Sequence, residues 1–233
     1  MPYFGIDLTY IILIIPALLL GLWAQAQVKL NYSKFSSVFS QRGMTGAEVS
    51  KFILERNGIY DVTIRHISGE LTDNFNPSNK TINLSDGVYD STSVAAIGIA
   101  AHETGHAIQH SVGYSPIKWR EAIIPVTQIG STLYLPILLI GMIFSAQTLI
   151  NVGIILFASV ALFQLITLPV EFNASNRAIK TIEENGILYG DELSGAKKVL
   201  KAAALTYVAA LVSSLAQLLR LVLIFGGNRR NRR

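Results

Sequence analysis

Three side chains within five consecutive residues could do chemistry together. His102-Glu103-Thr104-Gly105-His106 reads as H-E-x-x-H. On a helix, residues i and i+4 share a face, so both imidazoles can reach one metal ion. Glu103 stands one position on and can address a water held by that ion as general base. Zinc suits such a site, because it takes imidazole nitrogen and carboxylate oxygen and lowers the pKa of a bound water to about 7. The same ion would polarise a peptide carbonyl. The chain contains no cysteine. Disulfides, thiolate zinc sites and cysteine nucleophiles therefore drop out together, and any metal is left to histidine and carboxylate.

A chance match would be expected on an exposed helix. Here Ala95, Ala96, Ile97, Gly98, Ile99, Ala100, Ala101, Ala107 and Ile108 make the surrounding segment small and apolar on most sides. Such a helix is buried, and two histidines and a glutamate inside it need partners. A third ligand is required. The metzincin pattern puts glycine three residues after the second histidine and another histidine six after it. Those positions hold Gln109 and Val112, so that pattern fails. His110 reads as an interfacial or solvated histidine. His66 reads as a strand histidine, with a role toward substrate as the lesser alternative. Glu121 has no accompanying motif. Glu171 is the better candidate, opening Glu171-Phe172-Asn173-Ala174-Ser175 on a helix of its own. Two membrane crossings separate His106 from Glu171 and would return both to the same side. The plainer reading of Glu171 is a first-turn carboxylate favoured by the helix dipole.

The elements that must position these residues are largely membrane-type. Hydrophobic residues make up 51% of the chain and charged residues 15%, against roughly 25% charged in a soluble domain. No charge occurs from Leu8 to Val28, long enough for one crossing at ~20 residues. Ala24-Gln25-Ala26 has the look of a signal cleavage site, but Asp7 stands where a basic region would be, which favours an anchor. Ala122 to Val170 is also charge-free, long enough for two spans joined at Ser145-Ala146-Gln147-Thr148. Ala202 to Leu219 either spans or lies in the interface with Lys201 and Arg220 snorkelling. The net charge is +4, with Arg229, Arg230, Arg232 and Arg233 crowding the C-terminus. In a chain this apolar the cluster points to lipid headgroups or topology, not nucleic acid.

Polar segments fill the rest. Thr45-Gly46-Ala47-Glu48 fits a capping box and Asn57-Gly58 a stop, which predicts a helix from Gly46 to Asn57. Val62 to Ile67 and Thr81 to Leu84 are β-type, around a turn at Asn76-Pro77-Ser78-Asn79, so a sheet of two or three strands is expected. Thr81 to Leu84 is expected to offer an edge to an extended substrate. Asp90 or Ser91 is expected to cap the motif helix, which ends near Ser111. Glu171 to Glu184 reads as a helix stopping at Asn185-Gly186, and Asp191 as the cap of the next.

On Leu71-Thr72-Asp73-Asn74-Phe75-Asn76-Pro77, on Ala100 to Gln109, and on Leu168-Pro169-Val170-Glu171-Phe172-Asn173-Ala174-Ser175, the chain resembles the YugP-like membrane zinc metallopeptidases of bacteria. More distantly it is similar to CAAX prenyl proteases and heat-shock membrane proteases. That resemblance implies a gluzincin arrangement: His102, His106 and Glu171 on Zn2+, with Glu103 as catalytic base and then proton donor. Those relatives carry Asp where this chain has Ser175, and there the Asp orients a ligand histidine. Ser175 lacks the charge that raises imidazole basicity, and Asn173, Asn176 or Asp73 are the candidates to replace it.

The expected fold is a mainly α multi-pass membrane protein carrying a small α+β zincin-like catalytic domain. Residues 1–28 form a transmembrane anchor, 29–121 the zincin-like domain and 122–170 a transmembrane hairpin. Residues 171–198 form a helical segment with the third ligand, and 199–233 a transmembrane or interfacial helix with the basic tail. The expected activity is zinc-dependent endopeptidase hydrolysis of membrane or misfolded proteins near the membrane surface. The alternative is a non-catalytic zinc-binding membrane adaptor or pseudoprotease, against which Glu103 speaks. A transporter or scaffold is disfavoured by a hairpin without intramembrane charge. Partners are a protein or peptide substrate and the lipid membrane, with no nucleic acid. The positive-inside rule puts the catalytic side of a cell-membrane protein in the cytoplasm, because lysines and arginines cluster on that side of the hairpin.

Overall fold

Capping chemistry sets where the two shorter helices begin. Thr45 accepts from the Glu48 backbone N–H while the Glu48 carboxylate accepts from the Thr45 N–H, and α2 (Gly46–Arg56) follows. Ser93 accepts from the Ala96 N–H at 3.2 Å and starts α3 (Val94–Ser111). The cap is thus Ser93, not Asp90 or Ser91. The Ser91 hydroxyl instead donates to the Ser93 hydroxyl at 3.0 Å and steadies the cap. The computed structural model describes residues 7–226. Arg229, Arg230, Arg232 and Arg233 lie outside the described residues.

The remaining helices are long. A π-helical turn, Tyr10–Ile14, leads into α1 (Ile15–Ser36). They are joined by α4 (Ser115–Ile143), α5 (Gln147–Glu184) and α6 (Gly190–Phe225). Tyr10–Ser36 and the three later helices are each long and apolar enough to cross a membrane. Leu22, Ile143, Phe144 and Ile155 are among many large apolar side chains left exposed, a surface suited to lipid rather than water. Two expectations are corrected here. Glu171 does not open a helix of its own, because α5 runs through Pro169 without a break. Proline removes one backbone hydrogen bond, a loss that membrane helices tolerate. Asp191 lies in the first turn of α6 instead of capping it.

Three strands form one sheet in the order β1-β3-β2: β1 (Thr63–His66), β2 (Asn74–Asn76) and β3 (Thr81–Leu84). β3 pairs in parallel with β1 and antiparallel with β2. Thr81–Leu84 is therefore the central strand, and the expected edge role falls elsewhere. Its burial explains its place: Thr81, Ile82 and Leu84 are buried, whereas β1 is mostly exposed. Asp73 ties the β1–β2 connection to the end of β3, accepting from the Ser85 N–H at 2.7 Å and its hydroxyl at 2.9 Å. Burial pushes the Asp73 carboxyl up, against those two bonds.

Chain contacts divide the molecule into two compact units. One comprises Ala24–Ile117 and Pro169–Leu205. Its core joins Val49 and Ile53 of α2, Ile82 and Leu84 of β3, Val94 and Ile97 of α3, and Ile182, Ile187 and Leu188. Fully burying each such side chain stabilises the fold by about 1.5–3 kcal/mol. Arg42 donates to the carbonyls of Asn185 and Gly186, satisfying the orphan end of α5. The other unit holds the apolar parts of the long helices. There Gly130 faces Ser159 and Leu156, and Gly153 faces Leu138 and Tyr134, so α4 and α5 approach closely along small residues. Arg220 reaches Asp7 at 3.4 Å and lies over the Tyr10 ring, which gives this charge in an apolar helix its partner.

Candidate metal centre

The site is assembled from α3 and one stretch of α5. On α3, His102 and His106 stand one turn apart with rings nearly perpendicular, at 85° and 4.8 Å between centroids. Gly105, between them, is where α3 meets α5. A Cβ there would lie 2.8 Å from the Ala174 carbonyl oxygen, so only glycine allows this approach without displacement. Ala174 is itself fully buried. The close contact brings Glu171, 2% exposed, to the imidazoles.

Glu171 Oε2 lies 3.3 Å from His102 Nε2 and 3.6 Å from His106 Nε2. One ligand atom from each of the three residues falls within 4.8 Å of the others. In a tetrahedral zinc site with bonds of about 2.0–2.1 Å, neighbouring ligand atoms stand about 3.3–3.4 Å apart. The two N···O separations are close to that edge and long for a good hydrogen bond. The donor set, two nitrogens and a carboxylate oxygen with no thiolate, is one that zinc accepts.

The far side of each ring is also held. Ser175 Oγ lies 3.1 Å from His102 Nδ1. His106 Nδ1 lies 3.0 Å from Gln109 Oε1. Both rings thus keep Nε2 for the centre, which is the arrangement metal-binding histidines need. Burial alone would lower the His106 pKa, but Glu171, Glu103 and Gln109 outweigh it and hold the imidazole above its ordinary value. Glu103 is buried on α3 next to His102, 9% exposed.

The other candidates fall away from the cluster. His110 packs edge-on against Phe75 of β2, 6.0 Å between centroids. His66 Nε2 meets Asp86 Oδ1 at 2.7 Å on the exposed face of β1. Glu121 is not among the converging ligands of the described residues. Of the three proposed replacements for the missing Asp, Asp73 is taken by Ser85 and Asn176 is exposed. Asn173 accepts from Gln109 Nε2 at 3.0 Å and from Arg177 Nε at 2.8 Å. Ser175 itself serves His102. Gln109 was absent from the expected site. The available signal was a polar side chain three residues past His106, directly after the apolar pair Ala107-Ile108.

Comparison with known proteins agrees with this chemistry. A family model described as "Putative neutral zinc metallopeptidase" matches residues 10–226. The "Putative membrane protease YugP" of Bacillus subtilis (strain 168) is 47% identical over 216 residues, covering 93% of this chain and 96% of that protein. No solved structure matches the chain.

Proposed function

The chain belongs to the family of putative neutral zinc metallopeptidases, and on that premise we propose that it is a membrane-embedded zinc endopeptidase. The observation that carries the proposal is the convergence of His102, His106 and Glu171 beside a buried Glu103. His102 and His106 would hold zinc through Nε2, and Glu171 through its carboxylate. When bound, the ion supplies Lewis acidity, polarising a peptide carbonyl and acidifying a water. Glu103 takes the proton of the attacking water and passes it to the leaving amine. Ser175 and Gln109 hold the rings in place while this proceeds. A gluzincin-type catalytic domain is part of the same reading.

Proteins or peptides are the substrate class that such chemistry serves. Among the described residues β2 has no strand on its outer side, and it touches α3, so it is better placed than β3 to receive an extended peptide as an added strand. Glu171 follows Val170, the last residue of the charge-free run, on one continuous helix. Within a multi-pass membrane protein this would put cleavage about one or two helical turns, roughly 5–10 Å, from the lipid boundary. The lysines and arginines flanking the hairpin favour the cytoplasmic side.

The rival reading is a zinc-binding membrane adaptor without activity. Metal analysis and casein cleavage in detergent separate the two. A peptidase carries zinc and cuts casein in a chelator-sensitive way. Zinc without cleavage would favour the adaptor, and no zinc would overturn both.

A further inference from the structure

The His106 ring is held by a chain of hydrogen bonds whose polarity is dictated from its far end. Arg177 is a donor only, and its Nε lies 2.8 Å from Asn173 Oδ1. This fixes the Asn173 side chain with its oxygen toward Arg177. The same oxygen receives Gln109 Nε2 at 3.0 Å. Gln109 Nε2 also lies 2.8 Å from the Val170 carbonyl oxygen, which can only accept. The Gln109 amide therefore has its nitrogen toward α5 and its oxygen toward His106. Gln109 Oε1 is an acceptor only, so the His106 proton must sit on Nδ1. In the neutral ring the lone pair is then left on Nε2, the atom nearest Glu171.

The His102 ring has no such lock. Its Nδ1 faces the Ser175 hydroxyl, which can donate or accept. Gln109 is fully buried, so a flipped amide would set its oxygen against the Val170 and Asn173 oxygens, acceptor against acceptor, with no water to relieve them. Its bond to the carbonyl of Val170, next to Glu171, also joins the motif helix to the helix bearing the third ligand.

We infer that Gln109, oriented by Asn173 and Arg177, is a positioning residue that fixes the His106 tautomer and prepares Nε2 for the metal. This rests on the zinc reading of the site. It makes His106 the pre-set ligand and His102 the adaptable one.

The test uses the full-length chain in detergent, wild type and Gln109→Leu, with Lys180→Ala on the exposed face of α5 as control. Chelator competition reads zinc affinity, and nitrogen-15 imidazole NMR of the metal-free protein, at a pH alkaline enough for the ring to be neutral, reads the tautomer. Wild type and control should bind one zinc per chain with the His106 proton on Nδ1. Gln109→Leu should bind zinc about 10–100-fold more weakly, the range for loss of an outer-shell partner. Its His106 proton should no longer be confined to Nδ1, a change that general loosening of the fold would not confine to this ring. Arg177→Met, at the half-buried end of the chain of bonds, should shift both readouts the same way by less, and carries the test where the buried substitution does not fold. Unchanged affinity, or weaker binding with the proton still on Nδ1, would overturn the inference. Failure of wild type to bind zinc would overturn the metal reading itself.

Discussion

At the scale of single residues, the site divides into proposed metal and base residues visible in one motif and supports that are not. His102, Glu103 and His106 could be read from spacing alone, because a helix maps i and i+4 onto one face. Glu171 needed an argument from membrane crossings and from resemblance, since nothing local marks a lone glutamate as a ligand. Two variants separate it from its rival. Glu171→Ala should lose most of its zinc, whereas Glu121→Ala should keep it, as metal analysis of the purified proteins would show; the reverse pattern would refute the assignment. Gln109 was illegible because its role depends on a partner, Val170, that only the folded chain brings near. Ser175 was legible as a substitution, but its contact with His102 was not. Ser175→Asp would place a carboxylate against Nδ1 and raise imidazole basicity. It should tighten zinc by about 10-fold in chelator competition, the lower end of outer-shell effects.

Elements with chemical punctuation were read well, and those defined by packing less so. The capping box at Thr45 marked α2 to within a residue. The strands at Thr63–His66 and Thr81–Leu84 were anticipated, but not their order, because pairing depends on which strand the core covers. β2 was missed beside a turn rich in asparagine and proline. Glu171 was read as opening a separate helix, yet α5 runs through Pro169 and carries Glu171 within it. Gly105 shows how an element's position is set by one atom that is missing. Gly105→Ala would drive a methyl into the Ala174 carbonyl, so α3 and α5 must separate. The expected cost is about 1–3 kcal/mol of stability. Thermal unfolding should report that loss, and zinc should bind more weakly although no ligand has changed. A variant as stable and as tight as wild type would show that the close approach is not needed.

For the whole molecule, the division between lipid-facing and water-facing sequence was evident in where charge is absent. The four long helices fall where the charge-free runs lie. The pairing of Asp7 with Arg220 was not evident, since nothing in the local sequence of either names the other. The proposed topology rests on the lysine and arginine distribution. The absence of native cysteine makes single-cysteine labelling clean. A cysteine at Ser78 should resist an external membrane-impermeant reagent, and one at Gln147 should react. Labelling at Ser78 from outside would reverse the orientation. A third position, Asn231, lies outside the described residues; its protection would favour an interfacial last segment.

The central claim is that this centre hydrolyses peptide bonds with Glu103 moving the proton. The most direct measurement compares wild type and Glu103→Gln, purified in detergent, for zinc content and for cleavage of a protein substrate. Both should carry one zinc, because all three ligands remain. Only wild type should cleave, with the variant slowed by at least ~10²–10⁴-fold, the usual contribution of a general base. Cleavage by Glu103→Gln at the wild-type rate would contradict the account.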